Sequence, residues 1–260
     1  MVKISIKRYL DEENLKRLTE EKGFLLKNII SSGGELILCL RDNYFNIYYY
    51  GNSLAKVSFH SNNKYAVDIN EKFVSQELLK DPNLKDSYKI VTCKNKEVVY
   101  RFTIEHYKLK NLLQKDYILA IEKNIIKEKL YFQHGIMQEN LIKDNIFFID
   151  LNITDDSADC KRIDLIGLRN IQGNIYRLVI DEVKLGNYKD LKEDDFIQTK
   201  NYSSHVRENF RDYKYTYEKQ YHQLKQLGLL PGNKNESIVI DDVIEEKIIS
   251  DNQQIKEVIG

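Results

Sequence analysis

Between residues 146 and 185 the chain passes three times through runs of apolar, β-branched and aromatic residues, each bounded by polar or turn-forming ones. The runs are 146–153 (IFFIDLNI), 162–168 (RIDLIGL) and 175–185 (IYRLVIDEVKL), which read as strands. Helical stretches flank them. From Lys108 to Phe132 no Gly or Pro interrupts a pattern that puts Leu113, Tyr117, Ile121, Ile125 and Phe132 on one stripe, which predicts a long helix. A second helical stretch is expected from Asp194 to Leu227, in two pieces around Ser203 and Ser204, stopping at Gly228 with Pro231 beyond. The order helix, strand, strand, strand, helix predicts an α+β protein with an α/β-type core.

The amino-terminal part differs in kind. Residues 11–30 carry Leu15, Leu18, Leu25 and Ile29 at helical spacings behind an acidic first turn. Short runs at 35–40, 45–50, 54–59 and 64–69 follow, separated by Asn- and Gly-containing breaks, and predict an antiparallel meander. Residues 70–98 are polar, contain Pro82 and read as an irregular or partly helical connection. The expected division is 1–106 for a helix-and-meander module, 107–232 for the core and 233–260 for an acidic tail that supplies an edge strand near Ser237–Ile240.

Forty basic and forty acidic residues give a net charge of zero, but the tail holds three Lys against seven acids, so +4 precedes −4. Neutrality is therefore a sum of unlike parts and sets no global bias toward nucleic acid or an anionic membrane. Cys39, Cys93 and Cys160 show no C-x-x-C spacing, and the five histidines no H-x-x-x-H, which argues against a disulfide framework, a zinc site or a histidine triad. No phosphate-binding loop or dinucleotide fingerprint occurs. No secretory leader or apolar run of membrane-spanning length is evident, and a cytoplasmic protein without membrane attachment is expected.

Asp164 lies among Ile163, Leu165 and Ile166, where an ionised carboxylate costs several kcal/mol unless paired or metal-bound. On the next strand Glu182 and Lys184 leave the same face, while Asp181 and Val183 leave the other. With Gln172-Gly173-Asn174 as the turn of a hairpin, Asp164, Glu182 and Lys184 converge. Two carboxylates suffice to hold Mg²⁺ against a phosphate, and the ion acidifies a bound water. Lys184 is then placed to position or deprotonate that water, or to stabilise developing negative charge. Asp150, also inside an apolar strand, reads more naturally as a hydrogen-bonded structural carboxylate.

The segments R-I-D-L-I-G-L from Arg162 and D-E-V-K-L-G-N from Asp181 resemble the PD-(D/E)XK nuclease superfamily over about residues 110–230, with Ile163 in place of the motif's proline. The resemblance implies a restriction-endonuclease-like core and a nuclease using Mg²⁺ or Mn²⁺, with Asp164, Glu182 and the backbone carbonyl of Val183 as ligands. Gln198 and Tyr202, four apart, resemble the Q-x-x-x-Y element of the recombination-type branch. The superfamily's first-helix acid corresponds to Glu128 in preference to Glu122. DNA is the implied substrate ahead of RNA, in restriction, repair or phage defence. Lys200, Arg207 and Arg211, interleaved with Tyr202, Tyr213, Tyr215, Tyr217 and Tyr221, are candidates for phosphate contacts beside base-stacking rings. A homodimer would suit double-strand cleavage, and residues 1–106 are assigned a recognition or partner-protein role. The alternative is an inactive module of this fold that binds nucleic acid or a protein.

Overall fold

A computed structural model describes residues 6–20, 25–93, 97–113, 128–139, 145–154, 162–186, 193–250 and 255–257. The fold is mixed α+β, built on two sheets. The chain divides into two units of interrupted sequence: Tyr9–Lys127 with Gln223–Pro231, and Met1–Arg8 with Glu128–His222 and Gly232–Gly260. The division differs from the expected boundary at 106/107, and the tail belongs with the core.

The first unit contains helices α1 (Glu12–Glu20) and α2 (Leu25–Ser31) and six strands, β1 (Leu36–Leu40), β2 (Tyr44–Tyr49), β3 (Asn52–Phe59), β4 (Lys64–Asn70), β5 (Tyr88–Thr92) and β6 (Val98–Glu105). All pairings are antiparallel, in the order β1-β2-β3-β4-β6-β5. Tyr50 and Gly51, and likewise Asn62 and Asn63, take positive φ, which suits tight turns matched to the strand twist. Phe45 meets Phe59 and Tyr65 edge to face in the core. The meander thus forms as expected, and the described part of 70–98 is partly helical as expected but also adds a strand. It holds α3 (Gln76–Lys80), capped by the Ser75 side chain on Leu78 N–H, and the edge strand β5. β5 escaped sequence reading because Lys89, Ile90 and Thr92 are exposed, so it lacks an apolar alternation.

Of the helix expected over 108–132, the described residues give a single turn, α4 (Leu109–Leu112), and then α5 (Glu128–Glu139). Leu113, at φ −105° and ψ 17°, leaves helical backbone and ends α4. Residues 114–127, including Glu122, lie outside the described residues.

The second unit contains α5, then β7 (Ile146–Ile153), β8 (Ile163–Gln172) and β9 (Ile175–Lys184), then α6 (Glu193–Glu208) and most of α7 (Phe210–Leu227), then β10 (Val239–Ser250) and β11 (Ile255–Glu257). β7, β8 and β9 are antiparallel neighbours, β10 runs parallel to β9, and β11 closes the sheet. The tail therefore provides a twelve-residue strand, β10, paired along its length with β9 and covered on its other side by β11 at Lys247–Ile249 among the described residues. β8 and β9 are joined by the two-residue loop Gly173-Asn174, and a bulge between Asn170 and Gln172 shifts their register by one residue before Leu165 meets Asp181. Gly167 stands opposite Phe148; a Cβ there would lie 3.0 Å from the Phe148 ring and from Ile146, so a larger residue would require these side chains to shift.

The break between the two late helices falls at Asn209 and not at Ser203. Ser203 is buried within α6 and donates to Lys200 O, whereas the Asn209 side chain donates to His205 O at 2.8 Å and ends the helix locally. α7 stops as predicted: Gly228 takes φ +74°, its N–H reaches Lys225 O and that of Leu229 reaches Leu224 O, the paired bonds of a Schellman end. Among the described residues no helix is long and apolar enough to cross a membrane.

Candidate active site

The register of the second sheet decides which side chains meet. Leu165 pairs with Asp181 and Ile166 with Ile180, so Asp164 and Glu182 emerge side by side on the opposite face from Asp181. Lys184 follows Glu182 on that face. Asp164 is 2% exposed and Glu182 6%. Asp164 Oδ2 accepts the backbone N–H of Val183 at 2.9 Å, so Val183 orientates this carboxylate. Lys184 Nζ lies 3.0 Å from Glu182 Oε1. The three residues picked from the sequence do converge.

A fourth residue joins them. Lys129, in the first described turn of α5, places Nζ 2.6 Å from Asp164 Oδ2 and 3.3 Å from Glu182 Oε1. Two carboxylates and two ammonium groups then sum to zero, which makes the burial tolerable. The balance is imperfect for Glu182. Its carboxyl is held above the ordinary range, mainly by burial and then by the neighbouring Asp164 charge, with Lys129 and Lys184 opposing.

Sequence reading missed Lys129 for a definite reason. Glu128 and Lys129 stand three and four residues after Ile125, and both offsets lie on one helix stripe. The buried residues Gln133, Ile136 and Met137 settle the phase one position later than expected. Glu128 is exposed and forms no ion pair or hydrogen bond to Asp164 or Glu182 among the described residues. Asn152, at φ +52°, also escaped notice; flanked by the pairs Leu151↔Leu165 and Ile153↔Ile163, it stands opposite Asp164.

The remaining candidates divide. The backbone of Gln198 lies in α6, but its side chain is outside the described residues. Tyr202 is on the buried side of α6 with Thr199, Ser203 and Val206. Tyr213, Tyr217 and Tyr221 are buried too, and Tyr221 packs on Phe147 and Tyr176. These rings fill the core, which corrects the base-stacking expectation; of the five tyrosines only Tyr215 is exposed. Lys200 and Arg211 are exposed, while Arg207 Nη2 is held by Glu246 Oε1 at 2.6 Å.

That last pair belongs to a pattern. Arg169 meets Glu245 at 2.9 Å and Arg177 meets Asp241 at 3.0 Å, so the acidic strand β10 balances basic residues of the elements before it. The opposing +4 and −4 of the sequence are partly neutralised inside one unit. Asp150 is fully buried, accepts Leu151 N–H at 2.8 Å and has Arg8 Nε at 3.7 Å, the environment of a structural carboxylate.

No group of three or more His, Cys, Asp or Glu suited to a metal ion occurs among the described residues. Asp164 and Glu182 form a minimal donor pair instead, and the Lys129 ammonium between them marks a position that accepts positive charge. Hard-cation chemistry fits such oxygens when a substrate phosphate and waters complete the shell. No family model, curated protein or solved structure matches the sequence.

Proposed function

We propose that the second unit is a divalent-cation-dependent nuclease with a restriction-endonuclease-like core, cleaving phosphodiester bonds in DNA and, less favourably, RNA. The observation that carries this reading is the convergence of Asp164, Glu182 and Lys184 on one buried sheet face. Its support includes the order of elements, α5, three antiparallel strands, two helices and a parallel fourth strand. Asp164 and Glu182 would hold Mg²⁺ or Mn²⁺, which when bound acidifies water and offsets charge on the phosphodiester. The Val183 N–H fixes one Asp164 oxygen, so the carboxylate is orientated before any ligand arrives. Lys184, partly exposed, would present its ammonium to the attacking water or to the phosphate oxygens. Tyr202, with Gln198 one turn earlier, is assigned to the wall of the site through α6.

A second reading, a non-catalytic module that binds nucleic acid or a protein, is favoured by one observation: the acids are already charge-balanced by two lysines. One experiment separates them. Purified protein is incubated with circular single-stranded DNA, circular duplex DNA, linear DNA and RNA, with Mg²⁺, Mn²⁺ or EDTA. The nuclease reading expects cleavage of a DNA form that EDTA stops; retention of intact nucleic acid under all conditions supports the binding module.

A further inference from the structure

Lys129 stands where sequence reasoning expected an acid. Its ammonium bridges the two buried carboxylates at 2.6 and 3.3 Å, touching the same Asp164 oxygen that Val183 N–H orientates and the same Glu182 oxygen that Lys184 contacts. A divalent ion shared by Asp164 and Glu182 would need these oxygens at about 2.0–2.6 Å. An ammonium and such an ion cannot occupy that space together, and their charges repel across a site from which water is largely excluded. The cluster with both lysines is neutral; adding a divalent ion without losing a lysine would bury two uncompensated charges. Of the two lysines, Lys129 is the more exposed, 34% against 20% for Lys184, and it comes from a helix while Lys184 is anchored on β9 beside its partner. It is the one able to leave.

We propose that Lys129 is a built-in competitor for the divalent ion: it pairs Asp164 with Glu182 when no ion is held and swings away when one enters. The inference rests on the nuclease reading of the same site and adds its regulation. Lys129 sets the ion concentration at which the site loads, and stabilises the fold when the ion is scarce. The displaced ammonium stays within a side chain's length of the acids, positioned to meet an incoming phosphate.

The test is Mn²⁺ binding to the full chain by calorimetry, for wild type, Asp164→Asn, Lys129→Met and Lys129→Gln, the last retaining length and polarity if the methionine variant folds poorly. Labelling of Lys129 by an amine-reactive reagent, read by peptide mass spectrometry with and without Mn²⁺, gives a readout independent of catalysis. Expected are Mn²⁺ binding lost in Asp164→Asn, affinity raised by about tenfold or more in the Lys129 variants, and Lys129 labelling in wild type that increases with Mn²⁺. Wild-type binding that depends on Asp164, with unchanged or weaker affinity in both Lys129 variants and unaltered labelling, would overturn the competition and leave the nuclease reading standing. Absence of Mn²⁺ binding in wild type and Lys129 variants alike overturns both.

Discussion

Asp181 and Glu182 are consecutive residues of β9, both buried, yet they live in opposite electrostatic worlds. Glu182 shares its face with Asp164 and has two ammonium groups within 3.3 Å. Asp181 faces the other way, opposite Lys247 of β10, and neither of its oxygens accepts a hydrogen bond among the described residues. Burial pushes the Asp181 carboxyl up to about 7, with Lys247 and Arg169 opposing. One face gathers two acids with two lysine ammonium groups. The other holds a carboxyl that is most at ease protonated. The same strand thus separates a site suited to chemistry from one suited to neutral packing, and the side-chain alternation of the pleat is what keeps them apart.

The largest effect expected from breaking this contrast is on the Glu182 face. Lys184→Ala should reduce metal-dependent cleavage by about a hundredfold or more, while circular dichroism and melting show the fold retained. Activity within a fewfold of wild type would move the chemistry away from this strand.

The Asp181 face should respond to pH instead. Burial holds the folded carboxyl at about 7, above its ordinary value of 3.8, so the native state binds the extra proton. The resulting stabilisation is full below about pH 4, declines as pH rises and is gone above about pH 7, a span on the order of 4 kcal/mol. Urea unfolding of wild type and Asp181→Asn should show wild type losing stability relative to the variant between about pH 5 and pH 8. A constant difference across that range would mean that Asp181 stays ionised. Lys247→Met sharpens the same point: removing the cation should cost a few kcal/mol at about pH 8 and less at about pH 5, where Asp181 is protonated.

The smallest effect concerns the tail. Arg207 is half exposed but its partner Glu246, 2.6 Å away, is buried, so Arg207→Ala should cost about 1–2 kcal/mol in unfolding experiments, mostly by leaving the Glu246 carboxylate without its guanidinium. Its effect on DNA affinity should also be smaller than that of Lys200→Ala, because Glu246 already engages the guanidinium. The reverse order would restore Arg207 as a main phosphate contact.

Much of this was legible in the sequence because its signals were local. The turn at Gly173-Asn174 and the period-two alternation of β9 pair the two strands and put Glu182 and Lys184 on one face; the bulge between Asn170 and Gln172, which turns that face to Asp164, carries no such local signal. The helix stop at Gly228 follows from one residue's backbone freedom. What was hidden depended on partners distant in sequence. The acidic segment 239–250 looks like a solvated tail until Arg169, Arg177 and Arg207 are seen to meet it. The tyrosines of α6 and α7 suggest a stacking surface because alternation with Lys and Arg resembles one; at helical spacing the same residues bury Tyr213, Tyr217 and Tyr221 while their charged neighbours face outward. Lys129 was concealed by the helix itself, since adjacent positions 128 and 129 satisfy the same periodicity.

The central claim, that Asp164 and its partners form a divalent-ion site for phosphodiester cleavage, is tested most directly by comparing wild type with Asp164→Asn on DNA in Mn²⁺ and in EDTA, both proteins prepared identically. The expected result is cleavage by wild type in Mn²⁺ alone, and none by Asp164→Asn at equal thermal stability. Cleavage that persists in EDTA, or that Asp164→Asn performs as well as wild type, would contradict it.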